Sequence, residues 1–399
     1  MSGEDINVDV SFETLSTNPT LLLQALQPWL KTRRWSGLIW ENVEQIEVVD
    51  WTRVSSSQES LVFAALVKAL TSKYVADGTR VLHLPLHLML PKAEAQTMTV
   101  KCRNGIFQLL EAEYSKDYSL WVLQGSAVGT SAKGERGFFA FRPLASVPAI
   151  SRVKEVTILG KADTTNIVTK VETEESEPFV LKTYKNVTES NPEPELLSIL
   201  TDAGFKNSPK MLGEEVYIGS EQELVLAVLQ RFEDSIGDGR QPFSESLKNE
   251  LTGSSKSRQE PDSLTLAWKL GGIIAAMHRI LSECSKQGFG YTEIAERDVE
   301  EWKTRAVELF DRAFAEAKRK QKYLGSFVAD LLPELAGREE KVVERFTSMK
   351  QIVGTPKIRT HQDLHLAQLL TVKRGDKDID FLIIDFEGDP QRTGAARTS

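Results

Sequence analysis

The chain has 399 residues, and its 49 Lys or Arg against 57 Asp or Glu give a formal net charge of −8, so a general electrostatic affinity for nucleic acid or anionic lipid is not expected. With 41% hydrophobic and 27% charged residues, the composition excludes global disorder, and the length predicts two or three domains rather than one. No apolar run reaches the roughly 18 to 20 residues of a membrane helix, and the start MSGEDINVDV lacks the basic and apolar regions of a signal peptide, so a cytoplasmic protein without membrane attachment is expected. Cys102 and Cys284 stand far apart and form no CxxC, which argues against a zinc knuckle, a redox pair or a disulfide framework.

In chain order, Leu22, Leu23, Leu26 and Leu30 share one face of a predicted helix over 19–30, before the basic aromatic cluster Lys31-Thr-Arg-Arg-Trp35. Strands are predicted over 43–51, 61–70, 81–90, 97–102 and 106–110, separated by Gly-, Asn- or Pro-containing turns. Trp29, Trp35, Trp40 and Trp51 near Arg33 and Arg34 read as core anchors of a small domain, with stacking on bases or sugars as the other reading. The Gly-rich stretch 125–137 reads as a loop and 143–148 as a linker, which puts a domain boundary near 150.

From residue 152, alternating strands over 153–159, 166–172 and 179–184 predict an antiparallel meander. A helix is expected from Asn191-Pro192, since Asn caps well and Pro is tolerated in the first turn. A hairpin over 215–218 and 223–230 follows, and 237–262 reads as a connection without periodicity. Leu264, Ala267, Leu270, Ile274, Met277 and Leu281 recur at helical steps, and charged amphipathic helices are expected over 301–325 and 326–350. Short strands over 369–372 and 381–384 close the pattern.

The chemistry concentrates in His361-Gln-Asp-Leu-His-Leu-Ala-Gln368 and in Asp385-Phe-Glu-Gly388, which follows an apolar strand. Asp363 stands five residues before Gln368. A carboxylate to orient and deprotonate a hydroxyl, with oxygen ligands to hold magnesium on nucleotide phosphates, is what phosphoryl transfer requires. Protein kinases space a catalytic Asp and a metal-binding Asn identically, with D-F-G after the next hairpin; here Gln replaces the Asn and D-F-E-G replaces D-F-G. Taken singly, an Asp after a strand also serves as a turn or helix cap, and His361 or His365 as a structural histidine. Upstream, Lys182 lies in a strand, as a phosphate-binding lysine must, and Glu195 follows in the first helix as its expected partner. Gly160 opens the turn between two strands where a phosphate-covering loop belongs, although an ordinary hairpin turn explains it equally. Gln230 and Phe232 fall by position at a hinge that would face the adenine of ATP.

These tracts resemble the catalytic and metal motifs of bacterial maltokinases, relatives of the aminoglycoside phosphotransferases. Asn191-Pro-Glu-Pro-Glu195 and the Arg34-Trp35 pair strengthen the resemblance, which extends over nearly the whole chain. It implies an α+β, two-lobed, kinase-like fold: an N-terminal cap domain over 1–150, an antiparallel small lobe over 151–235 and a helical large lobe over 236–399. It further implies transfer from ATP to maltose, giving maltose 1-phosphate for α-glucan synthesis, by a monomer, with Asp363 catalytic and Gln368 and Asp385 on magnesium. A kinase for another sugar, such as glucosamine, and a silent pseudokinase are the alternatives. Two departures stand out. Gln362 replaces the usual Gly of the catalytic loop, and the family continues past D-F-E-G with helices of the sugar pocket, whereas this chain ends 14 residues after Asp385. Either a C-terminally shortened homologue or an incomplete sequence is therefore expected, and the chain as written is expected to hold nucleotide better than sugar.

Overall fold

The run Leu61-Val-Phe-Ala-Ala-Leu-Val67 lacks polar alternation because the strand it forms is buried on both faces. Leu61, Phe63, Ala65 and Val67 enter one core and Val62, Ala64 and Leu66 another. The computed structural model describes residues 5–38, 43–71, 79–91, 98–160, 165–188, 191–252, 261–321, 325–375 and 378–388. Trp40, Lys161, Ala162, Asp163 and Thr164 of the Gly160 loop, and Asp389 and Pro390 lie outside them.

The chain begins with β1 (Ile6–Asn7), α1 (Phe12–Thr17), α2 (Thr20–Gln24) and α3 (Gln27–Lys31), then β2 (Val43–Ser56), β3 (Ser60–Thr71), β4 (Thr79–Met89), β5 (Met98–Cys102) and β6 (Gly105–Glu111). These strands form one sheet in the order β1-β5-β6-β4-β3-β2. The single helix expected over 19–30 is two, because Pro28 has no N–H to continue the ladder and its ring would clash with the carbonyl of Gln24. Trp29, Trp35 and Trp51 are all buried in the core under this sheet, as core anchors.

The expected loop over 125–137 is instead the end of α4 (Lys116–Val128), the whole of β7 (Ser131–Lys133) and the turn that follows it. Gly125 is helical and serves close packing: a Cβ there would lie 2.1 Å from Cδ2 of Phe141. β7, β8 (Phe138–Pro143), β9 (Val153–Ile158), β10 (Asn166–Thr173), β11 (Phe179–Tyr184), β12 (Met211–Ile218) and β13 (Glu223–Arg231) form a second sheet in the order β7-β8-β12-β13-β11-β10-β9. Two strands that precede residue 150 thus belong to the sheet of the expected small lobe, so the boundary placed there does not separate the two sheets. Asp50 of β2 joins them. Its carboxylate accepts hydrogen bonds from the amides of Glu135, Arg136 and Gly137 and from the hydroxyl of Tyr217.

Helix α5 (Glu193–Asp202) lies between β11 and β12. After β13 come β14 (Gly237–Asp238), α6 (Arg240–Thr252) and α7 (Ser263–Glu283). α6 occupies the stretch expected to be an aperiodic connection; none of its residues is buried, so no apolar periodicity marks it. Among the described residues α7 alone is long and apolar enough to cross a membrane by length and composition, although Lys269 within it is paired with Asp378.

The chain divides into two compact units, Met1–Ile274 with His361–Ser399, and Ala275–Thr360. The second holds β15 (Thr292–Glu293), α8 (Glu296–Arg319), α9 (Ser326–Leu335), α10 (Glu339–Ser348) and β16 (Pro356–Lys357), with β15 paired to β16. Asp298 caps α8 by accepting from the amide of Ala295 and pairs with Lys357 at 2.6 Å. The one helix expected over 326–350 is interrupted at Gly337, whose φ of 80° ends α9. In the first unit, β17 (Leu369–Arg374) and β18 (Asp378–Ile383) form a three-stranded sheet with β14.

Candidate active site

β11 is a central strand, paired with β10 and β13, so it is held on both edges. Lys182 and Tyr184, two residues apart, project to the same face of it. There the Lys182 Nζ lies 2.6 Å from Oε2 of Glu193, and the Tyr184 hydroxyl donates to that same oxygen at 2.7 Å. Glu193, not the expected Glu195, is therefore the helix partner of Lys182. Pro192 caps α5, Asn191 Oδ1 accepts from the Glu193 amide, and Glu193 is the first helical residue. Positions two apart on a helix point in different directions, so the face that gives Glu193 to Lys182 turns Glu195 elsewhere.

The remaining components come from the loop before β17 and from the turn after β18. The amide of Ile384 donates to the carbonyl of Gln368, and Gln368 Nε2 donates to Oδ2 of Asp385 at 2.8 Å. Oδ1 of Asp385 reaches Lys182 at 2.7 Å, and Oε1 of Glu387 reaches it at 2.7 Å. Asn166, at the start of β10, donates its side-chain amide to Glu387, and the Phe386 amide donates to Glu193. Asn207 holds this end of β18 by accepting from the Ile383 amide and donating to the Phe381 carbonyl, each at 2.8 Å.

His361 is buried and its Nε2 lies 2.9 Å from the carbonyl of Ile384, which only accepts, so this nitrogen carries the proton. Burial holds the ring below the usual histidine range, in its neutral form. Its contact with Phe386, at 4.8 Å between centroids, packs the loop before β17 against the D-F-E-G turn. Asp363 is half-buried in this loop, and its carboxylate has no hydrogen-bond or ionic partner among the described residues.

One ammonium faces three carboxylates, a local excess of negative charge. Burial disfavours the Lys182 charge, but Glu193, Glu387 and Asp385 outweigh it and hold the ammonium well above the usual lysine range. For Asp385, burial acts upward, and Lys182, Glu387 and Gln368 overcome it to bring the group down to about 2. Glu387 is pushed up to about 7, by burial first, against the pull of Lys182 and with repulsion from Glu193 and Asp385. Carboxylate oxygens of Glu193, Asp385 and Glu387 lie within 4.8 Å of one another. An oxygen-rich, over-negative cluster of this kind fits a hard divalent cation.

The other expected nucleotide contacts are less concentrated. Gly160 has φ 84°, and a Cβ there would meet nothing within 4 Å, so its glycine answers a backbone need rather than a packing one. The backbone of Gln230 is engaged in the β13 ladder with Val180 and Met211. The Phe232 amide, placed at the hinge by position, is donated to the carbonyl of Pro178, which removes it as an adenine donor. Its ring instead lies under Lys170, 4.6 Å from Nζ. Sequence reasoning missed Glu193, Glu387, Tyr184 and Asn166. The signal for Glu193 was its place at the first helical position after Asn-Pro.

No known protein-family model matches the chain. Among solved structures, it is similar to a glucosamine kinase in complex with glucosamine, ADP and inorganic phosphate, with a TM-score of 0.60 and 17% identity over 96% of this chain and 75% of that one. Two further crystal forms of glucosamine kinase give TM-scores of 0.62 at 18% identity (96% and 75% of the two chains) and 0.56 at 17% identity (89% and 68%). The chain has a mixed α+β, two-lobed, kinase-like fold.

Proposed function

We propose that the protein is an ATP-dependent phosphotransferase whose acceptor is the hydroxyl of a small sugar. The observation that carries this reading is the convergence of Glu193, Asp385 and Glu387 on Lys182, with Gln368 bonded to Asp385 and Asp363 five residues before Gln368. Lys182 would take the α- and β-phosphates, oriented by Glu193. Magnesium, held by Asp385 and Gln368, would neutralise charge on the β- and γ-phosphates. Asp363 would accept a hydrogen bond from the acceptor hydroxyl and align its oxygen with the γ-phosphorus. As the new O–P bond forms and the bond to the β-phosphate oxygen breaks, the proton passes to Asp363 and ADP leaves.

For the acceptor, the motif resemblance favours maltose, with maltose 1-phosphate as product. The fold similarity to glucosamine kinase supports glucosamine as the second reading. ADP release from magnesium-ATP, measured against a panel of both sugars and their relatives, separates the two. Asp363→Asn is expected to lower turnover by about two orders of magnitude or more with nucleotide affinity retained. Equal turnover in that variant, or no ADP release with any sugar, would remove the basis of the reading.

A further inference from the structure

β11 does not end its work at Tyr184. Within the strand Lys182 and Tyr184 turn toward Glu193, whereas Lys185, the first residue after the strand, has a different set of partners. Lys185 and Glu113, both with fully buried side chains, form an ion pair, and the Lys185 ammonium sits 4.5 Å from the ring centroid of Trp35. The backbone continues the connection. The His83 amide donates to the Lys185 carbonyl at 3.0 Å, the Val187 amide donates to Val81 at 2.9 Å, and Asn186 Nδ2 donates to the Trp35 carbonyl at 2.7 Å. Residues 185–187 thus run along β4 of the N-terminal sheet.

We infer that Lys185 and Glu113 are positioning residues through which the N-terminal sheet fixes the exit of β11 and so sets the affinity of Lys182 for nucleotide phosphates. This rests on the kinase reading above. The physical ground is distance and stiffness: Lys185 is the first residue after β11 and lies three residues, no more than about 10 Å of chain, beyond Lys182. A strand paired on both edges and pinned at its end has little freedom to move its side chains. A buried ion pair contributes little net stability compared with an apolar pair of the same shape, but it fixes geometry, and removing one partner leaves an uncompensated buried charge. The Lys182 ammonium must keep one position to serve Glu193 and the phosphates together, so a shift at the strand exit is felt first by the nucleotide.

The test uses the full chain with Glu113→Gln, Lys185→Met and the double variant. Binding of magnesium with a non-hydrolysable ATP analogue is measured by calorimetry, and KM for ATP and for the sugar by ADP release. Each single variant is expected to weaken nucleotide binding at least tenfold and to raise KM for ATP while KM for sugar stays constant. The double variant, which removes both charges together, is expected to return to within about threefold of wild type. Single variants with wild-type nucleotide affinity, or with KM for both substrates shifted alike, would overturn the inference. If the single variants do not fold, Asn186→Ala removes only the bond to Trp35. Weaker nucleotide binding by that variant, with an unchanged circular dichroism spectrum, supports the inference, and unchanged binding overturns it. A wild-type chain that binds no magnesium nucleotide overturns the kinase reading itself, and the inference with it.

Discussion

Gln362 and Asp385 share a backbone state that no other described non-glycine residue has: φ is 64° at the first and 66° at the second. Asp385 belongs to the cluster around Lys182, and Gln362 immediately precedes Asp363. Asp visits the left-handed region several-fold more readily than most residues, whereas Gln gains no such local relief. Strain of this kind persists where the surroundings over-determine the backbone, as they do here through the His361 to Ile384 bond.

Gln362→Gly is therefore expected to stabilise the fold. The left-handed conformation costs a non-glycine residue about 1 to 2 kcal/mol, and the extra unfolded-state entropy of glycine returns part of that, so a gain of up to about 1 kcal/mol remains. A rise in the urea midpoint with unchanged slope is the expected reading. A lower midpoint would mean that the Gln362 side chain contributes more than its backbone costs.

Glu193→Gln should weaken ATP binding by about tenfold or more, since it removes the largest attraction on the Lys182 charge. Glu195→Gln is expected to change affinity less than threefold. Calorimetric titration of both variants with magnesium-ATP decides between them; the reverse order of effects would restore Glu195 as the partner of Lys182.

Asp385→Ala is expected to abolish the magnesium dependence of nucleotide binding, because it removes the carboxylate that Lys182 and Gln368 hold ionised. Titration with ATP in the presence and absence of magnesium gives the answer. Identical affinities in wild type and variant under both conditions would move the metal elsewhere.

Much of this site is legible in sequence, and the limits have physical causes. Strands β9, β10 and β11 follow the alternation of their residues, and Gln368 and Asp385, both named from their motifs, are brought to hydrogen-bond distance by the β17–β18 hairpin between them. Glu193 and Glu195 both lie in the first turn of α5, and only the three-dimensional path of Asn191-Pro192 chooses between them. Gly125 shows the opposite failure. Its composition reads as a loop, yet the glycine is demanded by the ring of Phe141 in β8, a tertiary contact that no local pattern carries. α6 was invisible for a third reason, since a helix that buries nothing has no apolar stripe to reveal it.

Away from the Lys182 cluster, a buried carboxyl is expected to make stability depend on pH. Glu215 of β12 is buried, accepts from the Tyr118 hydroxyl at 2.8 Å and lies 4.0 Å from Nε2 of His83. Burial pushes its carboxyl up to about 8, against the Tyr118 hydrogen bond and with repulsion from Glu113. Burial, with the nearby Lys185 charge, holds His83 well below its ordinary 6.5, so His83 is neutral through the same window and adds no second titration there. A carboxyl whose folded pKa is raised binds its proton more tightly in the native state than in the unfolded one. Its contribution to stability is thus fully present below the ordinary value of 4.5 and is lost as pH rises through about 8. Glu215→Gln mimics the protonated form without the titration. Its melting temperature is expected to match that of wild type at about pH 5 and to exceed it at about pH 9, where wild type must bury a charge without a counter-ion of its own. Parallel melting curves for the two proteins across that range would show that Glu215 is ionised at both ends and that its burial is compensated by a partner other than Tyr118.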